Sequence, residues 1–137
     1  MGLFVKKVKV IVDTNFLMLP ASQGLDFYTQ IDQLMTLPYE LCVMENSFRE
    51  LQHIMDDQTK AKGKDKFNAK LGFIMAKQKG LKTLSCSSEE PLVDDNIVRL
   101  ANEKVFVATL DKELQKRLKG KKAKIITVRQ NRLVVHE

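Results

Sequence analysis

Four carboxylic acids draw attention by where they fall: Asp13, Glu50, Asp94 and Asp111. Asp13 directly follows the apolar run Val10-Ile11-Val12, and Asp111 sits just after the apolar run Val105 to Ala108. Glu50 and Asp94 lie near the starts of segments with helical spacing. Hard oxygen ligands of this kind, once gathered, suit Mg2+ or Mn2+. The chemistry that uses such a cluster is phosphoryl transfer, in which one metal activates water and another stabilises the leaving oxygen. Each acid also has a local explanation. Asp13 can end a strand in a turn, Ser47-x-x-Glu50 matches a capping box, and Asp94 and Asp111 both suit helix N-caps. Capping does not require acids to share one edge of a fold, and gathering them costs repulsion unless a cation or shifted pKa values relieve it.

The elements decide between these readings. Val8 to Val12 reads as a buried strand ending in Asp13-Thr14-Asn15. Phe27, Ile31, Leu34 and Met35 predict an amphipathic helix over about residues 23–36, with a turn at Pro38. Leu41 to Met44 is a second apolar run, of the kind found in a parallel strand covered on both faces. Phe48, Leu51, Ile54 and Met55 repeat at helical spacing, and so do Phe67, Leu71, Ile74 and Met75. Between them the lysine-rich stretch Gln58 to Lys66 reads as a loop or a frayed helix join, and Gly80 stops the second helix. Leu81 to Leu84 is a third strand, and Ser85 to Pro91 is a polar loop. A short helix then carries Ile97, Val98 and Ala101, followed by a strand over Val105 to Ala108. Leu114 and Leu118 mark a helix ending at Gly120, Ile125 to Val128 a fifth strand, and Leu133 to Val135 a short edge strand. Strands alternating with helices predict an α/β domain with a largely parallel sheet. In such a sheet the strand C-termini and the following helix N-termini share the edge where ligands bind. All four acids fall on that edge, where helix N-termini also attract phosphate.

At these residues the sequence resembles the PIN-domain nuclease family. Val10-Ile11-Val12-Asp13-Thr14-Asn15 is similar to its opening motif, and Phe48-Arg49-Glu50-Leu51 to the segment carrying the second acid. Asp94-Asp95-Asn96-Ile97-Val98-Arg99-Leu100-Ala101 resembles the third motif, and Ala108-Thr109-Leu110-Asp111 the fourth. The ordered match spans roughly residues 8–128. Within the family the chain most resembles archaeal relatives of the eukaryotic small-subunit processome endonuclease, through Asp13-Thr14-Asn15-Phe16, Leu84-Ser85-Cys86, Asp94-Asp95 and Ala108-Thr109. Ser87 to Val93 departs from that pattern in lacking a Gly-Thr-Tyr, so shared substrate recognition is not implied.

The resemblance implies a three-layer α/β/α fold around a central, mostly parallel five-stranded sheet. It implies that Asp13, Glu50, Asp94 and Asp111 hold Mg2+ or Mn2+ and that Asn15 and Thr109 support them. Asp95 either supports the acids or competes with Asp94 as ligand; Asp94 is preferred because it stands seven positions before Ala101. Glu45 is the weaker alternative to Glu50. The implied activity is metal-dependent endoribonucleolytic hydrolysis of RNA, single-stranded or pre-ribosomal, in ribosomal RNA processing or as a toxin-type ribonuclease.

Length and charge agree with this reading. The 137 residues fit a single domain over 1–137, with a short basic end from about 129, and can bury a core without disulfides. Cys42 and Cys86 show no metal-binding spacing and read as buried thiols, and His53 and His136 are assigned to no zinc site. No apolar run reaches the ~20 residues of a membrane span, and the lysine-interrupted N-terminus does not read as a signal peptide. The expectation is a cytoplasmic protein. The net charge of +6 points to an anionic partner. Lys112, Lys116, Arg117, Lys119, Lys121 and Lys122 follow Asp111 closely and are read as RNA-binding, with Lys124, Arg129 and Arg132 beyond them and a second basic stretch at Lys60 to Lys66. A solvated helix face explains the same lysines. No aromatic platform for base stacking is evident.

Two other functions compete. A non-catalytic RNA-binding ribosome-assembly factor gains nothing from a negative pocket. A receiver-type phosphorylation domain needs paired acids after the first strand, whereas Asp13 stands alone. A homodimer is the commonest oligomer of domains in general.

Overall fold

The computed structural model describes residues 6–57, 63–87, 89 and 92–136. The chain opens with β1 (Val8–Val12), followed by the short helices α1 (Thr14–Leu17) and α2 (Leu19–Gln23) and then α3 (Phe27–Leu34). β2 (Tyr39–Met44) leads directly into α4 (Glu45–Asp56), and α5 (Gly63–Gln78) precedes β3 (Lys82–Leu84). The second half is α6 (Val93–Leu100), β4 (Val105–Ala108), α7 (Lys112–Lys119), β5 (Lys124–Arg129) and β6 (Arg132–His136).

The strands form one six-stranded sheet in the order β3-β2-β1-β4-β5-β6. β1 to β5 are parallel, as expected, and β6 adds an antiparallel sixth strand at the edge. The reason is the turn. Gln130 and Asn131 both take positive φ, 52° and 61°, the two-residue geometry that returns a strand on its neighbour.

Strand alternation divides the core in two. Val10 and Val12 of β1 face one side with Phe16, Phe27, Ile31, Leu51 and Ala69. Ile11 faces the other with Met44, Ile97, Leu114 and Leu118. Helices α1 to α5 therefore cover one face and α6 and α7 the other, which gives the expected three layers. Among the described residues no helix is long and apolar enough to cross a membrane.

Several helices differ from the sequence reading. The helix expected over about 23–36 is shorter, Phe27–Leu34, and the expected start falls instead at the end of α2. Gly24 takes φ +61° and caps α2, and Asp26 starts α3 by accepting from the Thr29 amide at 3.3 Å. The Ser47-x-x-Glu50 capping box does not form, because α4 begins at Glu45 and Ser47 is fully buried inside it. The face of α5 is also different. Phe67 and Ile74, part of the helical spacing that marks this helix, are exposed, and the buried side carries Ala69, Gly72 and Ala76. A Cβ on Gly72 would stand 2.6 Å from the Leu17 carbonyl oxygen, so α5 packs on backbone and needs small residues there. Gly80 stops α5 as expected, at φ +66°. Of the expected lysine-rich loop, residues 58–62 lie outside the described residues, and from Gly63 the chain is helical. The expected polar loop over 85–91 is described only at 85–87 and 89.

The chain runs from β1 outward to β2 and β3, then returns to β4 on the other side of β1. The order therefore reverses between β1 and β4. At such a switch point the loops leaving two neighbouring strands diverge and open a crevice at their carboxyl ends.

Candidate active site

The crevice starts where β1 and β4 end. The Asp13 amide donates to the Ala108 carbonyl at 2.9 Å, which ties the two strand ends together. Asp13 caps α1: its Oδ1 accepts from the Thr14 amide at 2.9 Å. Its Oδ2 accepts from the Thr109 hydroxyl at 2.8 Å. That hydroxyl in turn accepts from the Asp111 amide at 3.1 Å, so one side chain fixes both strand ends and both acids. Thr109 is fully buried and Asp13 is only 7% exposed.

Burial pushes the Asp13 carboxyl above the ordinary carboxylate range. The bonds from Thr109 and Thr14 pull it back, and the negative charges of Asp111 and Asp94 push it up again. Glu50, from α4, is raised for the same main reason, desolvation, opposed by a hydrogen bond with the Thr14 side chain and reinforced by Asp13 and Asp94. Glu50 is exposed as a residue, yet its carboxyl reaches the Thr14 side chain. Asp13 thus feels Asp94 and Asp111, and Glu50 feels Asp13 and Asp94, across elements that are far apart in sequence.

Asp111 caps α7, its Oδ1 accepting from the Glu113 and Leu114 amides at 2.9 and 3.2 Å. Asp94 sits in the first turn of α6, with Oδ1 on the Asp95 amide at 3.1 Å and Oδ2 3.7 Å from Arg117 Nη1. Asp95 binds the same guanidinium more closely, 2.8 Å from Nη2. Of the pair, Asp94 is the acid whose charge reaches Asp13 and Glu50, and Asp95 is held by Arg117. Glu45 is occupied elsewhere, accepting from the Cys86 amide at 3.0 Å.

Sequence reasoning passed over several residues that build the crevice. The Thr14 hydroxyl lies 2.8 Å from the buried Ser47 hydroxyl and joins α1 to α4 beneath Glu50. The buried Asn96 accepts from the Ser87 amide at 2.8 Å and donates to the Leu92 carbonyl at 2.8 Å, which fixes the segment leading into α6. Asn15, expected to support the acids, is exposed, and no described hydrogen bond involves its side chain.

The basic residues part company. Lys112, Lys116 and Lys119 line a groove of about 350 Å3 with Gln115, Arg129 and His136. Lys121 and Lys122 lie exposed in the turn beyond α7. Arg117 points to the acids instead.

Thr109 offers a direct test of how the crevice is held. Thr109→Val keeps the shape but deprives Asp13 Oδ2 and the Asp111 amide of a partner. It is expected to destabilise the protein by about 1–3 kcal/mol in urea titration, while Thr109→Ser stays within about 1 kcal/mol. Losing a bond that lowers the Asp13 pKa also shifts its titration to higher pH, which carbon-detected NMR of the metal-free protein reads directly.

The donor set is all carboxylate oxygen, which suits a hard divalent cation. The side chains as they stand do not converge on one. Among the described residues, no three or more His, Cys, Asp or Glu groups are arranged to hold an ion. Asp13, Asp94 and Asp111 each keep acceptor capacity beyond the bonds they make to Thr14, Thr109, α7, the Asp95 amide or Arg117, so the donor chemistry an ion needs is present.

Comparison with known proteins bears on this crevice. "Ribonuclease VapC4" of Methanocaldococcus jannaschii is 29% identical over 126 residues, 90% of this chain and 92% of that protein. The solved PIN domain endonuclease Utp24 superposes with a TM-score of 0.75 at 22% identity, covering 93% of this chain and 90% of that one. VapBC2 of Rickettsia felis, solved with a DNA fragment from its promoter, superposes with a TM-score of 0.50 at 13% identity, covering 88% and 99%. The family model described as a PIN like domain matches residues 10–131, a span that runs from β1 to the β5–β6 turn and takes in all four acids, and the chain belongs to that family.

Proposed function

We propose that this protein is a metal-dependent ribonuclease that hydrolyses RNA phosphodiester bonds at the β1–β4 crevice. The observation that carries the proposal is the buried Asp13 carboxylate, held by Thr109 and pressed by the charges of Asp94 and Asp111. A stability-driven fold has no use for a desolvated acid beside like charges, whereas a catalytic site does. The likeness to a protein named a ribonuclease, over nine-tenths of both chains, supports RNA as the substrate.

Asp13, Glu50, Asp94 and Asp111 are the residues to hold Mg2+ or Mn2+. Such an ion, when bound, supplies a Lewis acid and an activated water. The chain's own part is to position. Thr109 orients Asp13, Thr14 orients Glu50, and Asp111 sits at the positive end of α7, where phosphate is also attracted. In this proposal the natural substrate is single-stranded or pre-ribosomal RNA in the cytoplasm. The test is a labelled single-stranded RNA in Mg2+, Mn2+ or EDTA, with cleavage expected in the first two and none in the third.

The α7 groove is the proposed path of the RNA backbone. Replacing Lys112, Lys116 and Lys119 together by Gln is expected to weaken RNA binding. The plot of log affinity against log salt should flatten by about 0.7 for each phosphate that is no longer neutralised. Fluorescence anisotropy across a salt series reads this, and an unchanged slope would place the RNA elsewhere.

A further inference from the structure

Arg117 turns toward the acids rather than toward the groove its helix neighbours line. Consecutive residues of a helix do not face the same way, yet one guanidinium reaches both Asp94 and Asp95. It does so unequally, with Nη2 2.8 Å from Asp95 and Nη1 3.7 Å from Asp94. The short contact anchors the fork. The long one leans a positive charge on the acid whose field reaches Asp13 and Glu50. Arg117 belongs to α7, the helix that Asp111 caps, so one helix brings both an acid of the crevice and a cation that neutralises another.

We infer that Arg117 is an internal counter-ion that competes with a divalent cation for Asp94, and so sets how tightly the crevice takes metal. The inference rests on the metal-dependent reading proposed above. Asp94 thus stands between two partners, Arg117 on α7 and the acids Asp13 and Glu50 that feel its charge. Of the two contacts, the longer one to Asp94 is the one a bound ion would compete with, and the shorter one to Asp95 would hold Arg117 in place. A guanidinium keeps its charge at every working pH, so the competition responds to metal concentration and ionic strength and not to protonation of Arg117. Because Arg117, Asp94 and Asp95 are each partly exposed, solvent screens the pair and the effect is moderate.

The experiment is titration of the metal-free protein with Mn2+, followed by isothermal calorimetry and by loss of the free-ion EPR signal. Wild type, Arg117→Ala, Arg117→Lys and Asp13→Asn are compared at low and high salt. Arg117→Ala is expected to bind Mn2+ roughly three- to tenfold more tightly than wild type, with the difference shrinking at high salt. Arg117→Lys keeps the charge without the fork and is expected to fall between. Equal or weaker Mn2+ binding by a folded Arg117→Ala overturns the inference. Should that variant not fold, equal or weaker binding by Arg117→Lys overturns it in the same way. Asp13→Asn separates the two levels. If it binds Mn2+ as wild type does, or if neither wild type nor Arg117→Ala binds at all, the metal reading itself fails. If Asp13→Asn loses the ion but Arg117→Ala gains nothing, only the role of Arg117 fails.

Discussion

Asp13→Asn is expected to lower RNA cleavage by roughly a thousandfold, the scale of losing a central catalytic group, while leaving the fold at least as stable as wild type. The two halves of this result come from the same geometry. Asn keeps the cap on α1, since it serves as well as Asp there, and its amide can still meet a Thr109 hydroxyl that rotates to suit. What disappears is a charge that burial disfavours. The sign follows from the raised pKa. A carboxyl that holds its proton more tightly folded than unfolded favours the native state at low pH, and that benefit is lost as pH rises through the folded value. At neutral pH the ionised Asp13 is therefore a cost to the fold, and removing its charge stabilises the protein by about 0.5–2 kcal/mol, as other relieved functional sites do. The advantage vanishes below the ordinary carboxylate range, where wild-type Asp13 is protonated in both states. Urea denaturation of the metal-free proteins at pH 7 and pH 3.5 checks this, and a variant less stable than wild type at pH 7 contradicts it.

The second large effect separates two adjacent acids. Asp94→Asn is expected to reduce cleavage by about a hundredfold, and Asp95→Asn by less than about tenfold. Asp94 is the acid whose charge acts on Asp13 and Glu50, and Asp95 is the closer partner of Arg117. Asp95→Asn still has a consequence, because it frees the guanidinium to settle on Asp94. That variant should need more Mn2+ for half-maximal cleavage, while its rate at saturation stays near wild type. Initial rates across a metal series measure both quantities, and a larger loss in Asp95→Asn than in Asp94→Asn would reverse the assignment.

Much of this was legible in the chain because it is carried by strands. A run of three or four buried apolar residues with an acid after it needs only the parallel-sheet rule to place that acid at the carboxyl edge. Asp13 after Val12 and Asp111 after β4 were placed in this way. Helix faces were less legible. Phe67, Leu71, Ile74 and Met75 marked the helix by spacing, but its buried side is Ala69, Gly72 and Ala76, with Gly72 against the Leu17 backbone. Periodicity counts large apolar residues and is blind to a close approach that selects small ones. Asn15 was singled out with the Asp-Thr-Asn run, but the bonds are made by Thr14, whose partner Ser47 lies 33 positions away and read locally as a cap. Arg117 was grouped with its lysine neighbours for the same kind of reason. Composition gives the charge of α7, and only the packing of α6 against α7 shows which cation meets Asp94 and Asp95.

The most direct test of the account compares wild type and Asp13→Asn, purified identically, on one labelled single-stranded RNA in Mn2+, Mg2+ and EDTA. The account predicts cleavage by wild type in either metal, none in EDTA, and a loss of roughly a thousandfold in Asp13→Asn whose fold is intact. Equal cleavage by the two proteins, or cleavage that persists in EDTA, would contradict it and remove the β1–β4 crevice as the site of the chemistry.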